Sequence, residues 1–276
     1  MVPGGGTSLR RGAWPIAVAA SLALSCRGKP PPARTEIVYD GATSIGGKMV
    51  PEMATAFRER TGVSLRVERG GTGKGLRAAL SGEVDVAGVA RSLSAAELAE
   101  RPYFQIVGYD ALAVFVHEKN PVRGLTLPQV RTLFTGEAKS WKDVGGPALP
   151  VVACTEHVDS GRATVDAFRS MALEGRPYGK VHQVEDPAEC LDWLASQPGG
   201  VTVATVALGR PGVRALSLDG REPTPENVRA SRYPVTRPLL LVSRSAPEGP
   251  VRDLFDFVLS PEGQAIVARN GFVPAR

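Results

Sequence analysis

Histidine is scarce in this sequence. Three occur in 276 residues, His117, His157 and His182. None stands at metal-ligand spacing, and the three cysteines, Cys26, Cys154 and Cys190, form no Cys-x-x-Cys pair, so the residues offer no zinc site. Aromatics make up only 6%. No run of five basic residues occurs, so a net charge of +5 does not translate into a nucleic-acid interface. No Gly-x-Ser-x-Gly elbow is present, and nothing else supports an enzyme acting on phosphate esters or a resident cofactor. What remains is an ordinary soluble composition, 43% hydrophobic and 22% charged, long enough for one large domain or two modest ones.

The N-terminus reads as a targeting segment. Arg10 and Arg11 precede an apolar run from Ala13 to Leu24, short for a bilayer span but right for a signal peptide. The run closes on Leu22-Ala23-Leu24-Ser25-Cys26, which resembles the lipobox of bacterial lipoproteins, with Cys26 the lipidated residue; an ordinary cleaved secretory signal is the alternative. Residues 1–26 are thus read as the signal. Residues 27–34, with Pro30-Pro31-Pro32, form a stiff tether, and a folded body follows over 35–276. Export permits a disulfide between Cys154 and Cys190, and the sequence leaves that bridge and two separate buried thiols both open.

Four strand–turn–helix units organise the body. Ile37-Val38-Tyr39 reads as a buried strand and is followed by Asp40-Gly41-Ala42-Thr43-Ser44-Ile45-Gly46-Gly47. A helix then carries Met49, Val50, Met53 and Phe57 on one face. Thr43 and Ser44 stand where the first N–H groups of a helix lack partners, which suits an anion as well as a simple cap. Val63–Val67 leads through Gly70-Gly71-Thr72-Gly73-Lys74-Gly75 to a helix from Leu76. That turn fails as a nucleotide P-loop, with Gly75 in the Ser/Thr place and Glu68 in the first Gly place, but its backbone N–H groups suit a small anion; a plain glycine turn is the alternative. Val84–Ala90 runs into Arg91, with Ser94 capping a helix over 95–100. Arg91 follows a strand end, where open α/β sheets bind ligands, and a surface ion pair is its other reading. Val151–Cys154 passes through a polar turn, 155–162, into a helix with Ala163, Val165, Ala167, Phe168 and Met171. Phe104–Val116 is long for one strand, which suggests passage between lobes. The alternation throughout predicts an α/β fold.

Taken together, DGATSIG at 40–46, GGTGKGLRAAL at 70–80, GEVDVAGVARSLS at 82–94, the run 116–147 and the terminal run 233–274 resemble the phosphate-binding proteins of bacterial phosphate ABC transporters, within the two-lobed periplasmic binding proteins. The resemblance covers the chain from about Thr35 and implies a type II-like fold: two α/β lobes, 35–110 with 236–276 and 111–235, joined by strands crossing near Tyr109–Val114 and Tyr233–Arg237. It implies a receptor on the periplasmic or extracytoplasmic face, lipid-anchored to the membrane, that clamps inorganic phosphate, or a related oxyanion, and hands it to an ABC permease. A sensor for another anion and a degenerate member binding a protein partner are the alternatives. Thr43 and Ser44 match the donors of the family's first turn, Thr72 those of the second, and Arg91 an Arg after the third strand in one branch. Ser160 and Gly161 match the start of a Ser-Gly-Thr turn, but Arg162 takes the Thr place and Thr164 follows two residues on. The Arg usual before that turn is missing, with Thr155, Glu156 and His157 in its neighbourhood. Ala90 stands where another branch has Asp. Arg162 is therefore expected to be the charged clamp, and Asp159 or Glu156 the acceptor for the phosphate proton.

Overall fold

The computed structural model describes residues 1–6, 35–47 and 49–276, with backbone alone for Thr43 and Ser44. Cys26, the tether and most of the targeting segment lie outside the described residues. Among the described residues, the secondary structure lies within the unit Arg34–Arg276.

Its first part alternates as the apolar pattern demands: β1 (Glu36–Gly41), a single turn α1 (Thr43–Gly46), α2 (Met49–Thr61), β2 (Ser64–Val67), α3 (Thr72–Ser81), β3 (Val86–Val89) and α4 (Ala95–Ala99). The α2 face of Met49, Val50, Met53 and Phe57 is buried as its spacing predicts. The glycine run departs from the reading of an open turn, because α3 begins at Thr72 rather than Leu76. Gly71 enters the helix at φ 89°, and a Cβ at Gly75 would stand 2.7 Å from the Asp40 carbonyl, so the glycines let α3 lie directly on the end of β1.

A 15-residue strand, β4 (Tyr103–His117), follows. After it come β5 (Gly124–Leu125), α5 (Leu127–Thr135), β6 (Val152–Glu156), α6 (Ala163–Met171), β7 (His182–Val184), α7 (Pro187–Leu194), β8 (Gly200–Thr205), β9 (Val213–Ala215) and β10 (Ser217–Leu218). The chain closes with α8 (Pro225–Arg229), β11 (Thr236–Ser243), α9 (Gly249–Leu259), α10 (Pro261–Arg269) and β12 (Val273–Pro274). The apolar run at 201–208 is a strand only to Thr205; a 3-10 turn, Val206–Leu208, completes it. Thr155 and Glu156, read as turn residues, instead end β6 and are buried.

The strand order is β2-β1-β3-β11-β4-β8-β6-β7. β4 changes partner along its length: residues 103–111 pair with β11, and 112–116 pair with β8. Two apolar cores flank this exchange. One gathers Ile37, Phe57, Leu239 and Phe257, the other Leu112, Phe134, Trp141 and Phe168. The result is two α/β lobes joined where β4 and the segment entering β11 cross together, with the Leu112 N–H donating to the Val235 carbonyl at 2.9 Å.

Cys154 on β6 and Cys190 on α7 form a disulfide, with Cα atoms 5.7 Å apart, which settles the alternative left open by the sequence. It closes a loop with a sequence separation of 36. Replacing both cysteines by serine is expected to lower the free energy of unfolding by about 3–4 kcal/mol, the loop-closure contribution of such a bridge. Urea unfolding of parent and variant measures it. An unchanged midpoint would show that α7 holds its place on β6 without the bond.

Candidate functional site

Parallel strands of both lobes point their carboxyl ends at one cleft: β1 and β3 from the first lobe, β6 and β8 from the second. The arrangement is the one in which open α/β sheets bind ligands. Where the ends meet, Gly71 and Thr72 face Glu156, Arg162 and Thr164 across a void of about 10 Å³, room for roughly one water. The lobes are close here. Ala163 at the start of α6 packs with the first lobe's core, and a Cβ added at Gly73 would lie 4.0 Å from the Gly161 carbonyl.

Each wall of the void is fixed by its neighbours. Asp40 is buried at the end of β1, and its Oδ1 accepts from the Gly70 N–H at 2.7 Å, which sets the turn into α3. Thr72, 1% exposed, accepts from the Ala90 N–H at 3.3 Å and keeps its own hydroxyl hydrogen for an acceptor. On the other side Arg162 N-caps α6 without a side-chain cap bond. Its guanidinium donates to Glu185 Oε2 at 3.1 Å and stands 3.7 Å from Glu156 Oε1. Both α3 and α6 present their N-termini to the cleft, where the helix dipole favours negative charge.

Glu156 is the unusual member. It is 3% exposed, and its Oε2 has no hydrogen-bond partner among the described residues. Burial pushes its carboxyl up, against the opposing pull of Arg162, Arg237 and the Thr164 hydroxyl. Behind it lies a buried network. Arg237 Nη1 donates to Thr164 Oγ1 at 3.3 Å, and Nε and Nη2 donate to Asp110 Oδ2 at 3.0 and 2.8 Å. The Thr205 hydroxyl donates to Asp110 Oδ1 at 2.5 Å.

The expected site residues divide. Thr72, Arg162 and Thr164 come together at the void. Thr43 and Ser44 form the first half of α1, and their side chains lie outside the described residues; Ala42 beside them reaches the void. Ser160 is exposed and donates to the His157 carbonyl at 2.6 Å, while Gly161 makes the turn at φ 67°. Asp159 is exposed, so Glu156 is the carboxylate the fold places in the cleft. Arg91 is not aimed at the void. Two 2.8 Å hydrogen bonds hold it to Glu97, and it borders a separate cavity with Asp166 and Thr236.

Sequence reasoning missed Asp110, Arg237 and Thr205. A signal existed for two of them: Asp110 is the one charge in the apolar run 104–116, and Arg237 the one charge in 236–243. Lone opposite charges on strands expected to cross invite pairing.

The model of the PBP superfamily domain matches residues 29–262. The phosphate-binding protein PstS of Pseudomonas aeruginosa is 24% identical, covering 86% of this chain and 84% of that protein. Its namesake in Bacillus subtilis is 26% identical over 88% of this chain and 83% of the relative. Among solved structures, a Clostridium perfringens protein described as a phosphate ABC transporter substrate-binding protein, with phosphate bound, superposes with a TM-score of 0.79 at 28% identity, covering 87% of this chain and 100% of that one. An ABC-type phosphate transport receptor from Vibrio cholerae shares the fold, with a TM-score of 0.78 at 20% identity over 86% of this chain and 99% of the other.

The Arg91–Glu97 pair generates a prediction. The arginine holds the Glu97 carboxyl down to about 2, so the pair adds stability above the ordinary glutamate range, about pH 4, and loses it as pH falls through that window. Arg91→Ala is expected to be less stable than the parent at pH 7, with the gap shrinking at pH 3 and anion affinity unchanged within about twofold. Urea unfolding at the two pH values and an anion titration measure these. A large loss of affinity would return Arg91 to the binding site.

Proposed function

This chain belongs to the PBP superfamily, and we propose that it captures inorganic phosphate outside the cytoplasmic membrane and delivers it to an ABC permease. The observation that carries this is the void itself, where the N-termini of α3 and α6, two threonine hydroxyls and one arginine converge from opposite lobes. Phosphate binding by the Clostridium perfringens neighbour supports it. The chain acts by binding and lobe closure, without covalent chemistry. Lobe one comprises 35–110 and 236–276 and lobe two 111–235, hinged at the β4–β11 crossing. Residues 1–26 direct export, Cys26 carries the lipid, and 27–34 tether the body to the membrane. No described helix is long and apolar enough to cross a membrane.

Thr72, Thr164 and Arg162 hold the anion, with backbone donors at Thr43–Ser44 and at the Ser160–Gly161 turn. The void is water-sized in the closed arrangement, so the anion enters when the lobes part and Arg162 turns from Glu156 toward it. Glu156 accepts a hydrogen bond from the proton that phosphate still carries near neutral pH. Sulfate has no such proton and meets a buried like charge instead. The altered turn, with Glu156 and Arg162 where the family differs, favours another protonated oxyanion as the second reading.

Thermal unfolding with each anion tests this. Phosphate at a hundredfold over its Kd is expected to add about 2.7 kcal/mol, a rise of roughly 5–10 °C in Tm. Sulfate is expected to have little effect on the parent and to gain affinity in Glu156→Gln. An unchanged phosphate-over-sulfate preference in that variant would remove Glu156 from selectivity. No shift with either anion would overturn the receptor reading.

A further inference from the structure

We infer that the phosphate seat is one end of a longer site, which accepts a phosphoryl group bearing a small organic substituent: a phosphate monoester or a phosphonate. The inference rests on the phosphate reading above and extends it.

Arg162 and Pro187 line the small void and also a second cavity of about 410 Å³ between the lobes. That volume falls within the range of about 300–1,000 Å³ typical of small-molecule sites and far exceeds the needs of a lone tetrahedral anion. The lining is of two kinds. Met49 and Phe272 from the first lobe and Leu208 from the second supply apolar surface, and displacing water from that surface favours a ligand with carbon in it. Charged groups stand around the apolar patch, but most are engaged. Arg269 is held by Glu52 at 2.6 Å, and Asp186 caps α7 by accepting from the Ala188 N–H at 2.9 Å.

Arg69 differs. It is exposed, lines the same cavity, and no hydrogen bond or ion pair of its guanidinium is found among the described residues. Its stem lies over Gly46, where a Cβ would stand 3.1 Å from Arg69 Cγ. Glycine at 46 thus leaves the path of the arginine open. A substituent leaving the seat past Arg162 would cover Met49, Leu208 and Phe272 and could offer a hydroxyl or carboxylate to Arg69. The small void reinforces the direction. Its buried Glu156 Oε2, without a partner among the described residues, calls for a hydrogen-bond donor at the phosphoryl end, and the adjoining larger cavity has room for the remaining ligand atoms.

Calorimetric titration of the full chain with inorganic phosphate, glycerol 3-phosphate and ethylphosphonate tests the inference. Glycerol 3-phosphate or ethylphosphonate is expected to bind at least as tightly as inorganic phosphate. Leu208→Trp, which fills the larger cavity, is expected to weaken the substituted ligands by about tenfold or more and to leave inorganic phosphate within about twofold. Arg69→Ala, at an exposed position where folding is not at stake, is expected to weaken glycerol 3-phosphate by about tenfold and to spare inorganic phosphate. Binding of inorganic phosphate alone would overturn the longer site and leave the phosphate reading standing. Binding of a substituted ligand without inorganic phosphate would support the longer site and replace the ligand of that reading. No binding of any of the three would overturn both.

Discussion

Asp110 and Arg237 form a buried ion pair at the point where the two lobes join. The two residues are direct cross-strand partners on β4 and β11, and both are almost wholly buried. Removing two charges from water costs several kcal/mol per ion, and the cost is offset only when geometry and extra hydrogen bonds are good. Here both conditions hold. Arg237 meets Asp110 Oδ2 through two nitrogens, Thr205 satisfies Oδ1, and Thr164 takes a third guanidinium bond. The pair sits where β4 exchanges β11 for β8, and Thr205 is the last residue of β8. It therefore ties three strands together at the junction of the lobes.

The cleft inherits its chemistry from that junction. Thr164 accepts a hydrogen bond from Arg237, so the polar wall of the second lobe is a continuation of the crossing-strand network. A change at Thr164 and a change at the crossing strands are thereby linked through Arg237 and Asp110. The first lobe contributes the other wall. Asp40 fixes the Gly70 turn, Thr72 fixes the end of β3, and the glycines of α3 let the helix start lie against β1. One lobe presents backbone and hydroxyl donors held in place, the other an arginine and a carboxylate that balance each other.

Much of the fold was legible in the sequence because apolar strands and amphipathic helices carry their periods openly. The helix face from Met49 to Phe57, the Ser94 cap and the long crossing run at 104–116 all read directly. Thr72, Arg162 and Thr164 were legible as residues at strand-to-helix turns. The failures have one cause, which is tertiary contact overriding local character. The glycine run looks like loop until β1 packs against it. Thr155 and Glu156 look like turn until neighbouring elements bury them as the end of β6. Arg91 follows a strand as a ligand arginine would, yet Glu97 six residues on claims its guanidinium. Asp110 and Arg237 carry no local signature beyond being lone charges in apolar runs, and their meaning exists only once the strands are paired.

The proposed function stands on an oxyanion seated between the lobes at Thr72, Arg162 and Thr164. Crystals grown with arsenate, a tetrahedral stand-in for phosphate whose arsenic scatters anomalously, would test it most directly. The expected result is one strong anomalous peak within hydrogen-bonding reach of all three side chains. A peak confined to the protein surface, or a cleft with no peak in crystals that hold arsenate elsewhere, would contradict it.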